Sequence, residues 1–108
     1  MIFLKAEITV QPGHLAAMLE LLRERIFPIM EGKGSWRLAG CFVQRTGRLN
    51  TIVDLWEMDD LADFTRTYQV FREQPDYPEI RVLLDRYVET ETLVFMEAHA
   101  GRLADQES

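Results

Sequence analysis

The stretch from Leu49 to Met58 is apolar on both sides of a strand and carries one carboxylate in its middle. At the side-chain period of two, Asn50, Ile52, Asp54, Trp56 and Met58 point one way, while Leu49, Thr51, Val53 and Leu55 point the other. A strand that is apolar on both sides needs a cover on both sides. In a short chain, helices supply one cover and a second subunit supplies the other.

The remaining pattern places elements around this strand. Ile2, Leu4, Ala6, Ile8 and Val10 alternate with Phe3, Lys5, Glu7 and Thr9, which predicts a first strand over Ile2 to Val10. Pro12 and Gly13 break it. Leu15, Met18, Leu19, Leu22 and Ile26 then draw one apolar stripe on a helix, whose end is expected near Pro28, before the glycines at 32 and 34. Trp36 to Arg45 and Leu49 to Met58 flank Thr46, Gly47 and Arg48, a polar connection of hairpin type. With Arg45 opposite Asn50, Cys41 faces Asp54, Ala39 faces Trp56 and Arg37 faces Met58, and a bulged loop is the alternative.

Asp59 and Asp60 suit the start of a second helix with Leu61, Phe64, Tyr68 and Phe71 on one face. That helix stops before Gln74 and Pro75. Asp76 is then expected to cap a shorter helix bearing Tyr77, Ile80, Leu84 and Tyr87, and Thr90 to Ala98 to form a fourth strand. Residues 1–100 read as a single domain and 101–108 as a flexible tail. The order is βαββαβ, an α+β ferredoxin-like arrangement with a four-stranded antiparallel sheet. One face of such a sheet lacks helices, so a homodimeric α/β barrel is expected, with Thr51, Val53, Leu55, Phe42, Leu38 and Trp36 at the contact.

Composition narrows the partners. The 108 residues are 47% hydrophobic and 28% charged, as in a folded domain, and the formal charge of -6 removes the basic face that nucleic acid or an acidic membrane requires. Cys41 is the single cysteine, so no internal disulfide forms. No signal segment or membrane span is read, and a cytoplasmic setting is the expectation.

Leu49, Asn50, Val53, Leu55, Trp56 and Asp59, with Pro12 and Gly13 at the opening and the Glu89, Thr90, Glu91 run at the close, resemble the NIPSNAP proteins of the dimeric α/β-barrel superfamily. The resemblance spans most of residues 1–98. Where that family usually has a histidine before its Leu/Ile-Trp pair this chain has Asp54, and where an aromatic commonly follows it has Met58. The superfamily includes cofactor-independent monooxygenases, cyclases, isomerases and haem-degrading enzymes, which share a cleft between sheet and helices. The resemblance therefore implies a cleft and leaves the reaction open.

Within that cleft Asp54 is the candidate proton-transfer residue, because a mid-strand carboxylate between Ile52 and Trp56 loses hydration and its pKa rises. The alternative is an Asp54 paired with Arg37 or Arg45. Trp56 is the candidate wall for a flat substrate, with Ala39 and Cys41 leaving room opposite and Arg37 beside them. Tyr68 is the candidate to orient or protonate the substrate. By the hairpin register Trp36 points to the opposite face. His14 and His99 are not spaced as metal ligands, and helix two has no histidine between Asp59 and Glu73, where haem-degrading relatives place one. Neither a metal nor another cofactor is expected. These residues suggest a homodimer that binds an apolar or aromatic metabolite and performs cofactor-independent acid/base chemistry. The rival is a binding or accessory protein with the same pocket and no catalysis.

Overall fold

The computed structural model describes residues 1–104. β1 (Ile2–Val10) leads through a long first helix to β2 (Arg37–Val43) and β3 (Thr51–Met58), followed by α2 (Leu61–Arg72), α3 (Tyr77–Tyr87) and β4 (Val88–Met96). The strands form one antiparallel sheet in the order β2-β3-β1-β4. This is the ferredoxin-like α+β arrangement that the order of elements predicts.

The first helix, α1, differs from expectation in length. It begins as a regular helix at Leu15–Leu21 and continues through two widened π-type segments, Leu22–Ile26 and Ile29–Lys33. Pro28 does not end it. That residue keeps helical φ and ψ, -61° and -32°, at the junction of the two widened segments, so the proline is accommodated inside the continuing helix. Termination comes instead at Gly34, whose N–H bonds the Ile29 carbonyl at 2.8 Å as the chain turns to extended geometry.

The β2–β3 pairing confirms Cys41 opposite Asp54 and corrects what lies on either side. Ala39 is the extra residue of a β-bulge, so Leu38 rather than Ala39 pairs with Trp56, and Arg37 pairs with Glu57 rather than Met58. Arg45 and Asn50 belong to the loop and not to the ladder. Gly47 and Asn50 both take positive φ there, at 74° and 56°, and Gln44 Nε2 bonds the Arg48 carbonyl at 2.8 Å. β4 starts and ends two residues before the expected Thr90 to Ala98, because α3 passes directly into it at Val88.

Asp60 caps α2 as its position predicts, accepting from the Asp63 N–H at 2.8 Å. Asp76 occupies the N-cap of α3 but caps nothing with its side chain. Its carboxylate pairs with Arg25 at 3.0 Å, tying α3 to α1.

Leu4, Ala6 and Ile8 of β1 and Ile52, Asp54, Trp56 and Met58 of β3 are buried on the helix side, against Met18, Leu22, Ile26, Phe27 and Met30 of α1, Phe71 of α2 and Ile80 of α3. Trp36 and Leu38 belong to this side too. That corrects their placement on the helix-free face: Trp36 precedes β2 and turns into the core, and the bulge carries Leu38 after it. The helix-free face keeps Val53, Leu55 and Phe42, with Phe42 57% exposed, and β4 adds exposed Val94 and Met96. Gly101 to Ala104 form a turn closed by Ala104 N–H to the Gly101 carbonyl at 3.2 Å. The rest of the expected tail, 105–108, lies outside the described residues. Among the described residues, no helix is long and apolar enough to cross a membrane.

Candidate active site

A cavity of about 330 Å³ lies between the sheet and the helices. Sheet register builds its floor. Asp54 of β3, Ala6 of β1 and Leu93 of β4 stand in one row, with Ile52, Ile8 and Glu91 in the next. The methyl of Ala6 fills little space, which leaves a hollow beside Asp54. The widened turns of α1 put Leu22, Ile26, Phe27 and Met30 on the walls, a use of π-type segments common at functional sites.

Two tryptophans close one end. Trp56 meets Phe27 edge to face at 5.2 Å and Trp36 at 5.4 Å, and Trp36 stacks on Phe64 at 5.3 Å. Trp36 is held from outside the cavity. Its Nε1 donates to the Asp63 carbonyl at 3.3 Å, and Ser35 donates its hydroxyl to Asp63 Oδ1 and its N–H to Thr67 Oγ1, the latter at 3.0 Å. Burial works to raise the Asp63 pKa, but the Ser35 bond, the Asp59 amide and Arg66 outweigh it and hold the carboxyl below the usual range. Asp63 is thus a satisfied structural carboxylate.

Asp54 is the contrasting case. The residue is 2% exposed and its Oδ1 is buried without a hydrogen-bond partner. No Lys or Arg side chain among the described residues comes within ion-pairing distance: Arg37 binds Asp59 at 3.2 Å and Glu57 at 3.8 Å, away from the cavity. Burial raises the Asp54 pKa from 3.8 to about 6, opposed by the neighbouring Cys41 thiol and helped by Glu91. Cys41 lies close enough to temper the shift, yet it makes no bond that satisfies Oδ1. The cysteine is exposed on the edge strand. Even so, desolvation, followed by the Asp54 charge, pushes its thiol up to about 12, so it is a protonated neighbour and not a nucleophile.

Tyr68 lines the cavity from α2, half-buried, with the Arg72 guanidinium 5.1 Å from its ring centroid. Burial, then Glu91 and Tyr77, raise its pKa, so the hydroxyl keeps its proton and serves as a donor. The cavity thus brings Asp54, Trp56 and Tyr68 together. Arg37 and Ala39 do not line it, which corrects their assignment as substrate-binding residues, and Cys41 stands behind Asp54 instead of in the open space. Ala39 is displaced by its bulge, and Arg37 by the change of parity that follows. His14 stacks on Tyr87 at 5.1 Å. Among the described residues, no group of three or more His, Cys, Asp or Glu side chains is arranged to hold a metal.

The NIPSNAP family model matches residues 6–101. The chain belongs to the NIPSNAP family. A NIPSNAP domain protein from Burkholderia xenovorans superposes with a TM-score of 0.80 at 22% identity, over 93% of this chain and 96% of that one. A NIPSNAP family protein from Agrobacterium tumefaciens gives 0.82 at 19% identity, over 91% and 92%. An antibiotic biosynthesis monooxygenase gives 0.61 at 16%, over 93% and 100%. At these identities the likeness is one of fold. No curated protein matches the chain.

In this NIPSNAP fold the cavity also contains residues that sequence reasoning missed. Arg81 and Asp85 of α3 and Glu89 and Glu91 of β4 line the rim. Glu91 is exposed as a residue, but the packing around its carboxyl raises its pKa, with Arg81 opposing. One signal was available. Glu91, Leu93 and Phe95 alternate along β4, which puts Glu91 on the same face as two large apolar residues. The i, i+4 pair of Arg81 and Asp85, 3.1 Å apart, reads in the sequence as an ordinary solvated helix pair.

Proposed function

We propose that the protein binds an apolar or aromatic organic metabolite in this cleft and performs cofactor-independent acid/base chemistry on it, of cyclase, isomerase or monooxygenase type. The carrying observation is Asp54 Oδ1, buried among apolar walls with no partner, at the edge of a cavity. Buried structural carboxylates are as a rule hydrogen-bonded, as Asp63 is here. A group with a pKa of about 6 exchanges its proton close to neutral pH, as a general base must. In this reading Asp54 takes the proton, Tyr68 orients or protonates the substrate, and Trp56 supports its flat face. The fold shared with an antibiotic biosynthesis monooxygenase supplies a precedent by analogy only. The active form is a homodimer closed through the helix-free face.

The test is a native mass-spectrometry and thermal-shift screen of the full chain against planar aromatic metabolites, followed by turnover assays on each ligand found. Binding with turnover that falls at least 100-fold in Asp54→Asn is the expected result. Turnover unchanged in that variant removes the catalytic role. Binding without any turnover leaves a binding or accessory protein, and no binding at all contradicts the cleft reading.

A further inference from the structure

We infer that the ligand carries a basic nitrogen on its flat apolar body, and that its ammonium sits between Asp54 on the floor and Glu91 on the rim. The inference rests on the cleft-binding reading and adds the polar chemistry of what is bound. Five charged side chains line the cavity: Asp54, Asp85, Glu89, Glu91 and Arg81. The single cation among them is bonded to Asp85 at 3.1 Å. Asp54, Glu89 and Glu91 therefore have no bonded cation among the described residues. A ligand carboxylate or phosphate would enter against three carboxylates and would find Arg81 already engaged. An ammonium would meet the reverse situation.

Geometry supports the same choice. Glu91 is the register partner of Ile8, and Asp54 that of Ala6, so both acids rise from the helix side of the sheet over a floor of Ala6 and Ile8. The buried Oδ1 of Asp54 lacks a donor, and an N–H would supply one. A ligand hydroxyl would satisfy that oxygen too, but it would leave both negative charges uncompensated in a desolvated site. Trp36, Trp56 and Phe71 offer apolar area for the body of the ligand, and indole faces also attract a cation.

The groups that set the pH response are Cys41 beside Asp54 from β2, Glu89 and Glu91 from β4, Tyr68 from α2, and Arg81 and Asp85 from α3. α1 contributes only apolar side chains to the cavity. Both acids are made harder to ionise by desolvation, and a bound cation offsets that effect for each. Amine binding is therefore expected to weaken as pH falls from 7.5 to 5 and Asp54 takes up a proton.

The test uses three probes with one body: 2-naphthylmethylamine, 2-naphthylmethanol and 2-naphthoic acid, titrated into the full chain by calorimetry. At pH 7.5 the amine should bind at least 10-fold more tightly than the alcohol, with the acid weakest. Glu91→Gln, a change at an exposed rim position, should remove most of that preference. Asp54→Asn should act in the same direction. Equal binding of amine and alcohol, tighter binding of the acid, or an amine preference intact in Glu91→Gln overturns the inference while leaving the cleft reading in place. Failure of all three probes overturns both.

Discussion

Cys41 and Asp54 face each other across the β2–β3 ladder, one pair away from the bulge at Ala39. The arrangement gives the carboxylate a weak, protonated sulfur neighbour where a structural aspartate would have an amide or an arginine. Its consequences for stability and reactivity can be measured on the protein alone.

The first consequence is a stability cost. A carboxyl whose pKa rises from 3.8 to about 6 on folding destabilises the native state by about 3 kcal/mol at neutral pH. The sign follows from proton uptake. Because the folded state holds this proton more tightly, the cost is present above pH 6, shrinks as pH falls through 6, and is gone below 3.8. Asp54→Asn should therefore be more stable than wild type in urea at pH 7.5, by up to about 3 kcal/mol, with the gain fading towards pH 4. A less stable variant at pH 7.5 would mean that the ionised carboxylate has a partner.

Cys41 should react slowly despite its exposure. With its pKa pushed up to about 12, the thiolate at pH 8 is scarce, and modification by a disulfide reagent should run roughly 50-fold slower than for free cysteine, allowing for the higher nucleophilicity of a basic thiolate. Asp54→Asn should restore only part of the rate, since desolvation is the larger cause. A rate like that of free cysteine would show the sulfur to be fully hydrated.

Much of this site was legible before any coordinates. The period of two put Asp54 and Trp56 on one face, and the apolar run around them required that face to be covered. The hairpin gave Cys41 opposite Asp54. What it could not give was the bulge, because Leu38, Ala39 and Gly40 carry no mark that one of them is extra, and the slip moved Arg37 and Leu38 to faces opposite those expected. Trp36 was misplaced by the same slip, since it lies two residues before Leu38 and shares its parity. Pro28 reads as a helix stop, and only the widened turns around it let α1 continue. Glu91 and Arg81 needed the sheet order, since β4 meets the cavity through β1 and not through its neighbours in sequence.

The close approach of α1 and α2 at Gly34 is also testable. A Cβ there would clash most closely with Thr67 Cγ2, and would also lie 2.7 Å from the Met30 carbonyl oxygen and 2.8 Å from Thr67 Oγ1. Gly34→Ala should cost about 1 to 3 kcal/mol in urea unfolding. Removing the Thr67 side chain in the same background should recover part of that loss, the Met30 carbonyl accounting for the remainder. Loss of less than about 0.5 kcal/mol would contradict this packing.

If the active form is a homodimer through the helix-free face, Leu55→Arg and Phe42→Asp should each shift it to monomer at micromolar concentration in light scattering. Both positions lie away from the cavity, so the fold should persist by circular dichroism. A wild-type monomer under those conditions would contradict the proposed assembly.

The central claim is that Asp54 is a carboxylic acid poised near neutral pH in an apolar cleft. It is tested most directly by following its side-chain carboxyl carbon in ¹³C-labelled protein by NMR from pH 3 to 9, with Asp54→Asn providing the assignment. The account predicts a midpoint at about 6. A midpoint at or below the ordinary value of 3.8 would contradict it.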